Sequence, residues 1–465
     1  MLKLSNRNTF QTLLSAVTLT SDDDQKPALI YIDTGADDDI IVTRADFKQA
    51  IRDYASGLQQ MGVSSRDLVL LAHTQNLESI YAFWGALLIG AIPSMFPTLT
   101  EKLDRDIYMN SMSELVDISG VRAILTTDEF ASELSDRVNC PVYGSQTLLA
   151  SVSGEVKPYT PDADEIAFLQ HSSGTTGLQK GVALSHSAVL NQLASYSDAL
   201  ALDESDVIVS WLPLYHDMGL IAGFLMPLIQ GIPLVLMSPF DWVKSPAMLL
   251  RAINDYQGTL SWLPNFAYNH MARRIRRRDT EGISLASMRA FINCSEPVHH
   301  SSHQLFLDKY SALGVSAEQL TISYAMAENT FAVTQTPIGT TPIIDVINQM
   351  ELEQNLCAVT TSVDDPLART LVSCGKPIDN TQVKAVDSNG NTLADRQVGE
   401  LMVKSDCMLT EYYKREDLNP FDTEGWYKTG DRGYLVEGEV FVIGRSKDLI
   451  INAGKNVYPQ DLESI

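Results

Sequence analysis

The 465-residue chain is short of cysteine, of cations and of long apolar runs. Its five cysteines, Cys140, Cys294, Cys357, Cys374 and Cys407, are odd in number and widely spaced, with no Cys-x-x-Cys pair. That spacing suggests neither a disulfide framework nor a zinc site, and it predicts a reducing, cytoplasmic setting. Lys and Arg number 34 against 58 Asp and Glu, giving a formal net charge of −24. A surface of that sign repels nucleic acid and anionic lipid, which are bound by cations that neutralise phosphates. No transmembrane segment is expected. The two uncharged stretches, 79–100 and 218–240, are interrupted by Pro93 and Pro97, and by Pro227, Gly231 and Pro233. Each reads as a helix followed by a buried loop or strand, not as a continuous span of about 20 apolar residues. The N-terminus does not read as a signal peptide: Phe10, Leu13, Leu14 and Val17 fall at helical spacing on one face, which suits a docked amphipathic helix.

What is present is the 45% hydrophobic content of a folded protein, in a chain long enough for two to four subdomains. Thr43 is placed to cap a helix carrying Phe47, Ile51, Tyr54, Leu58 and Met61 at helical spacing, with Gly62 at its end. Strand-like runs at 28–32, 68–72, 123–125, 207–210, 234–237, 259–262, 290–293 and 321–324 alternate with helix-like segments. This alternation predicts stacked, largely parallel α/β layers to about residue 335. Ligands in such sheets sit beyond the carboxyl ends of the strands. From about 370 the texture changes to short runs with hairpin signals at Asn389-Gly390 and Glu437-Gly438, which predicts a smaller β-rich subdomain. Segment 337–366 has little periodicity and reads as an insertion. A run of arginines at 273, 274, 276, 277 and 278 stands out on so acidic a chain. It is either a solvated helix end or a dock for an acidic partner.

The chain is organised around His171-Ser172-Ser173-Gly174-Thr175-Thr176-Gly177-Leu178-Gln179-Lys180-Gly181-Val182. An apolar strand-like run, 166–169, precedes it, and a helix is expected from about Ser185 to Leu200. Glycines let backbone N–H groups approach a phosphate, while hydroxyls and a lysine add donors and charge. It is not a Walker A loop, because Lys180 is followed by Gly181 and not by Ser or Thr. A bare turn is the alternative reading.

Later stretches repeat the pattern of polar residues at strand ends. Trp211-Leu212-Pro213-Leu214-Tyr215-His216-Asp217-Met218-Gly219 follows one strand, Asn293-Cys294-Ser295-Glu296-Pro297 another, and Tyr324-Ala325-Met326-Ala327-Glu328 a third. Tyr427-Lys428-Thr429-Gly430-Asp431 and Gly444-Arg445-Ser446-Lys447-Asp448 lie in the β-rich part. An aromatic ring can stack on a purine, a carboxylate accepts both hydroxyls of a ribose, and Glu328 suits Mg²⁺, a hard cation. Taken singly, each admits a structural role: His216 as a structural histidine, Asp431 or Arg445 as part of a turn or surface pair, 220–228 as core instead of tunnel wall.

In this order, the stretches resemble the signature of the adenylate-forming superfamily, which includes acyl-CoA synthetases, fatty acyl-AMP ligases and luciferases. The resemblance runs from about residue 25 to the end of the chain. It implies an α/β fold, the N-terminal domain of an adenylate-forming enzyme with two stacked α/β subdomains and a smaller β-rich one. Residues 1–447 would form that domain, with the family insertion at 337–366. Residues 448–465 would begin a C-terminal domain that is largely missing, together with its adenylation lysine.

By the same resemblance, Ser172, Ser173, Gly174, Thr175, Thr176, Gly177 and Lys180 hold the phosphates of ATP. Ser295, Glu296, Tyr324, Ala325 and Met326 surround the adenine. Asp431 and Arg445 take the ribose, Glu328 the Mg²⁺, and Lys447 is the hinge. Trp211, His216, Asp217 and Gly219 border the acyl substrate, and Lys180, His216 and Glu328 are the catalytic set. The sequence departs from the usual pattern at three points. Cys294-Ser295 stands where Gly-Ala is common, His171 where Tyr is common, and Gln179 where Pro is common.

The implied reaction is ATP-dependent activation of a fatty acid to an acyl-adenylate with release of pyrophosphate. The loop around His216, Glu296-Pro297-Val298 and the 337–366 insertion most resemble fatty acyl-AMP ligases. These pass the acyl group to the phosphopantetheine thiol of an acyl carrier protein, or of a carrier domain in a polyketide or peptide synthase. Two alternatives stand beside this reading: a fatty acyl-CoA synthetase, and a non-catalytic acyl- or nucleotide-binding module.

Overall fold

The computed structural model describes residues 10–19, 24–36, 38–73, 77–99, 104–171, 180–445, 450–452 and 455–457. The chain divides into two interleaved compact units. One comprises Met1–Ala194, Ser210–Lys244 and Cys407–Leu418; the other comprises Ser195–Val209, Ser245–Asp406 and Asn419–Ile465.

The first unit is built on a seven-stranded sheet in the order Glu411–Tyr412, Gly181–Ser185, Ile166–His171, Ile92–Met95, Leu68–Leu71, Ala123–Thr126, Val142–Gly144. The last five strands are parallel, and the first two pair antiparallel. Leu68–Leu71 is buried along its whole length, as a parallel strand covered on both faces must be. One covering layer is the pair of helices Arg44–Gln60 and Leu77–Leu88, which meet so closely at Gly85 that a Cβ there would lie 2.8 Å from Tyr54 Cβ. Thr43 caps the first of them through a capping box with Asp46. On the opposite face, Tyr108, Met109 and Met112 of Arg105–Ser119 join Leu70, Ile92 and Leu169 in one apolar cluster. Each such fully buried side chain contributes about 1.5–3 kcal/mol. Pro27–Ile32 runs parallel to Leu234–Met237 and antiparallel to Ile40–Thr43.

The interrupted apolar stretches resolve as expected. Residues 79–100 become the end of Leu77–Leu88 and the strand Ile92–Met95. Residues 218–240 become a wide helical turn, Met218–Leu225, then the helix Met226–Gln230 stopped by Gly231 (φ 70°), then the strand Leu234–Met237. Among the described residues, no helix is long and apolar enough to cross a membrane.

The second unit holds a parallel set in which Leu320–Ile322, Ala290–Asn293 and Leu260–Leu263 are neighbours, with Leu260 paired to Ile208. It also holds an antiparallel sheet of Thr381–Val386, Gly399–Ser405, Tyr427–Val436 and Glu439–Arg445. Glu437 and Gly438, at φ 52° and 83°, make the tight turn between its last two strands.

The 337–366 segment is more ordered than its sequence suggests. Ile344–Asn348 pairs antiparallel with Ala368–Val372, and Asn348 caps the helix Gln349–Asn355. The pattern was illegible for a physical reason. The buried positions of the strand are Asp345 and Ile347, so a carboxylate occupies a place where alternation calls for an apolar side chain. Asp345 is satisfied there by the Tyr434 hydroxyl at 2.8 Å and the Arg396 guanidinium at 2.9 Å. Ile347, Leu352 and Ala358 pack with Val398, Tyr434, Phe441 and Ile443 around this anchor.

Gly375 gives a sharp stability test. It sits at φ 88°, and a Cβ would fall 2.2–2.3 Å from backbone atoms of Gln335 and Thr336. Backbone cannot move aside as a side-chain tip can, and the left-handed conformation adds its own penalty. Gly375→Ala is expected to destabilise the protein by more than about 3 kcal/mol, read as a drop in urea midpoint. A midpoint within error of the parent would show that the strand pair at 334–335 and 376–377 can open without loss.

Candidate active site

In the first unit, the glycine-rich loop joins Ile166–His171 to Gly181–Ser185, two antiparallel partners in register at His171 and Gly181. The loop therefore closes a hairpin. The helix expected from about Ser185 to Leu200 is present as His186–Ala199, and the strand Gly181–Ser185 before it is an element the sequence did not announce. Five residues, Gly-Val-Ala-Leu-Ser, are too few for alternation to mark that strand. Residues 172–179 lie outside the described residues, and with them Ser172, Ser173, Gly174, Thr175, Thr176 and Gly177. Lys180 is half-buried, with its ammonium 4.8 Å from the centre of the Tyr412 ring, within cation–π range. Tyr412 is held there because it pairs with Val182.

His171, which stands where Tyr is usual, is buried with its ring edge-on to Phe96 at 5.2 Å. Burial pushes its pKa down to about 4, so the ring is neutral.

The Trp211–Gly219 loop is fixed at both ends. Trp211 is buried flat on Trp242, centroids 3.5 Å apart. Asp217 accepts from the Met218 N–H at 2.8 Å, at the start of the wide turn Met218–Leu225. Gly219 lies so close to Pro213 that a Cβ would stand 2.2 Å from its carbonyl oxygen. Between these anchors His216 is exposed, its ring 5.2 Å from that of Tyr215. Leu214 and Tyr215 help to line an apolar cleft with Leu71, Met95, Phe96 and Phe240. Leu220, Ile221, Phe224 and Leu225 are buried, as core residues would be.

The second unit brings the nucleotide candidates of 324–328, 431 and 445 together. Asp431 on Tyr427–Val436 faces Arg445 on Glu439–Arg445 as its register partner, and Arg445 Nε lies 3.3 Å from Asp431 Oδ1. The Tyr324 hydroxyl donates to Asp431 Oδ2 at 2.5 Å. The Asp431 N–H is held by Thr429 Oγ1 at 2.9 Å, beside Gly430 at φ 75°. Burial raises the Asp431 pKa above its ordinary 3.8, against the pull of Tyr324 and Arg445, and the negative charge of nearby Glu328 raises it further. Burial, reinforced by Asp431, drives the Tyr324 phenol well above its ordinary range, so it stays a donor.

Tyr324–Thr334 forms a tight hairpin that fixes this geometry. Ala325 bridges Ala332, and the Met326 N–H donates to the Phe331 carbonyl at 2.9 Å. Glu328, half-buried, projects from the short helical turn Ala327–Asn329 inside that hairpin.

At the end of Ala290–Asn293, Ser295 takes a left-handed φ of 71° that few non-glycine residues adopt. The exposed Glu296 accepts from the Phe266 N–H at 2.9 Å. Beneath this turn, Asn293 Nδ2 donates to Asn265 Oδ1 at 3.2 Å and meets His303 Nε2 at 2.9 Å. Burial lowers the His303 pKa to about 4, so its ring is neutral and Nε2 is the acceptor of that bond.

A model of the AMP-binding enzyme family matches residues 20–413. The chain belongs to the AMP-binding enzymes. It is 31% identical over 457 residues to the long-chain-fatty-acid–AMP ligase FadD32 of Mycolicibacterium smegmatis, covering 91% of this chain and 71% of that one. It is 30% identical over 478 residues to the medium-chain-fatty-acid–[acyl-carrier-protein] ligase JamA of Moorena producens, covering 98% and 80%. Among solved structures, it matches a fatty acyl-adenylate ligase from L. pneumophila in complex with acyl adenylate and pyrophosphate. That match has a TM-score of 0.88 at 31% identity and covers 98% and 81% of the two chains.

For this AMP-binding enzyme, Tyr324, Asp431, Arg445 and Glu328 share one neighbourhood in the second unit, and Ala325 and Met326 lie on the same hairpin. Ser295 and Glu296 lie at the neighbouring strand end of that unit. Lys180, Trp211, His216, Asp217 and Gly219 belong to the first unit. Lys447 lies outside the described residues. Sequence reasoning missed the supports: Thr334, whose Oγ1 accepts from Tyr324 N–H at 3.2 Å and donates to the Cys374 carbonyl, and the Asn265–His303 network. Of these, only Asn265, two residues past the strand Leu260–Leu263, stood where the sequence reading looked for site residues.

Proposed function

We propose that this AMP-binding enzyme activates a fatty acid with ATP to an acyl-adenylate and hands the acyl group to the phosphopantetheine thiol of an acyl carrier protein. The observation that carries the reading is the buried carboxylate of Asp431. It is oriented by the Tyr324 hydroxyl, balanced by Arg445, and leaves acceptor capacity for ribose hydroxyls.

In the first half-reaction, a carboxylate oxygen of the fatty acid attacks the α-phosphorus. The new O–P bond forms as the bond from that phosphorus to the β-bridging oxygen breaks, and pyrophosphate leaves with the electron pair. Two anions must approach each other, so positioning and charge compensation dominate. In this reading, Lys180 and the 172–177 loop compensate the β- and γ-phosphates. Ser295, Glu296, Ala325 and Met326 border the base, and Arg445 reaches ribose or phosphate. His216, with Trp211, Asp217 and Gly219 shaping its loop, meets the substrate carboxylate, and Lys447 is the hinge. In the second half-reaction, the thiol sulfur attacks the acyl carbon, AMP leaves with the electrons of the C–O bond, and the thiol proton passes to water.

Among the described residues, no three His, Cys, Asp or Glu side chains gather as a metal cage. A single half-buried carboxylate fits Mg²⁺, which is usually held by one or two carboxylates, substrate phosphates and water. Glu328 would hold it, and the ion would offset phosphate charge. The carrier is favoured over coenzyme A as acceptor by the acyl-carrier-protein ligases among the relatives and by the inserted 337–366 segment locked through Asp345.

The test is a thin-layer assay of labelled fatty acid with ATP, offered either coenzyme A or a holo carrier protein. Acyl-AMP and acyl-carrier are expected. Efficient acyl-CoA formation would replace this reading with an acyl-CoA synthetase, and the absence of pyrophosphate exchange would replace it with a binding module.

A further inference from the structure

We infer that the exposed arginines 273, 274, 276, 277 and 278 form the docking surface for the acidic carrier protein. This inference rests on the carrier reading above.

The run begins in the last turn of the helix Asn265–Arg274, passes its extended cap, Ile275, and ends in the four-residue 3-10 turn Arg277–Thr280. The helix dipole accounts for two cations only: Arg273 and Arg274 lie in the last turn, where positive charge is favourable. Arg276, Arg277 and Arg278 lie past the cap, where that effect has died away. All five side chains are exposed, while Ile275 between them is buried and pins the segment to the body of the unit. Among the described residues, one ion pair engages the run, Arg278 Nε to Asp279 Oδ1 at 3.7 Å. Five cations clustered within six residues, on a chain of net charge −24, make a local positive field inside a negative one. That pattern selects a small acidic partner that meets the patch alone. An anionic bilayer, being broad and flat, would also meet the rest of a chain whose net charge is −24.

The position of the patch supports the assignment. The first turn of the same helix reaches the candidate site, where the Phe266 N–H holds Glu296. From Phe266 to Arg274 the helix rises about 12 Å. A carrier seated on the arginines would thus stand one short helix away from the nucleotide residues, a gap that a phosphopantetheine arm spans.

The experiment compares the parent with the variant Arg273→Gln/Arg274→Gln/Arg277→Gln/Arg278→Gln. Three readouts are followed: acyl-AMP formation without carrier, binding of a fluorescently labelled, negatively charged holo carrier protein, and transfer to that carrier. The expected result is acyl-AMP formed at the parental rate, carrier affinity weakened at least tenfold, and a KM for carrier raised in proportion with kcat little changed. Raising salt from about 0.05 M to about 0.5 M should weaken carrier binding to the parent and hardly affect the variant.

Parental carrier affinity in the variant would overturn the dock. So would loss of binding to phosphatidylserine vesicles with carrier binding intact, which would assign the patch to a membrane. Because carrier binding is read directly, a parent that makes no acyl-AMP would sink the proposed reaction without deciding the dock. Retained acyl-AMP formation in the variant certifies its fold.

Discussion

Asp431→Asn is expected to weaken adenosine binding at least 100-fold while leaving the melting temperature unchanged or raised. The two halves of this result have one cause. The carboxylate is buried, and its raised pKa means that the folded protein bears a desolvation penalty to keep it ionised. Asparagine is close in shape, still accepts from the Tyr324 hydroxyl, and carries no charge to desolvate, so the fold has little to lose. The ligand loses much more. A hydrogen bond to a charged group is worth about 1.5–3 kcal/mol, and a ribose offers two such donors. Asparagine keeps one neutral acceptor and turns a donor toward the second hydroxyl, which makes about 3 kcal/mol, or 100-fold, a conservative figure.

The pH dependence has a definite sign. Because the folded-state pKa lies above 3.8, the carboxylate is protonated earlier than a free aspartate as pH falls. Adenosine affinity should therefore decline on acidification, starting above the usual carboxylate range, in the parent but not in Asp431→Asn. Adenosine is the right probe because it has no phosphate to titrate alongside. Calorimetry that finds equal affinity in the two proteins would remove Asp431 from the nucleotide site.

Asp431 also illustrates what the sequence discloses. The order of the stretches around Lys180, His216, Ser295, Glu328, Asp431 and Arg445 was enough to name a family, although Asp431 lies within the strand Tyr427–Val436 and not at a strand end. Antiparallel register then made neighbours of Asp431 and Arg445 with no further instruction. Two kinds of feature were illegible. The first was any element spanning only about two of its own periods, such as Gly181–Ser185 between the loop and its helix, or the seven-residue helix Gln349–Asn355. The second was any position where tertiary pairing overrides polarity. Asp345 is buried because Tyr434 reaches it from another sheet and Arg396 from a turn, and no local pattern announces that. The wide turn Met218–Leu225 is similar, since nothing in an apolar run separates five-residue from four-residue hydrogen-bond spacing.

Lowering the pH from 7.5 to 5 is expected to remove about 6 kcal/mol of stability, a large part of the 5–15 kcal/mol typical of a folded domain. Three histidines carry this effect. His171 and His186 in the first unit and His303 in the second are each held at about 4 by burial, against an ordinary 6.5. Their folded-state pKa values are lowered, so the unfolded chain binds more protons between those limits and stability falls as pH falls. At pH 5, each contributes about 2 kcal/mol of that loss. Carboxylates with lowered values, such as Asp128 and Glu165, act in the same direction but only below 3.8 and 4.5, and Asp431 acts in the opposite one. Across the window from 6.5 to 5, the histidines therefore decide the outcome.

The structure also says where the damage begins. His186 Nδ1 accepts from the Leu13 N–H at 3.3 Å, so protonation there sets two donors face to face and releases the helix Leu13–Leu19 from the strand-to-helix junction it caps. His171 is the cleanest probe. Neither ring nitrogen has a hydrogen-bond partner among the described residues, and its ring packs on Phe96, so His171→Phe sacrifices no hydrogen bond. That variant should be about 2 kcal/mol more stable than the parent at pH 5 and should show about one third less pH dependence. Urea midpoints at pH 7.5, 6 and 5 measure both quantities. Parallel pH profiles for parent and His171→Phe would mean that this ring takes up its proton inside the folded protein, and hence that it is open to water or to a partner.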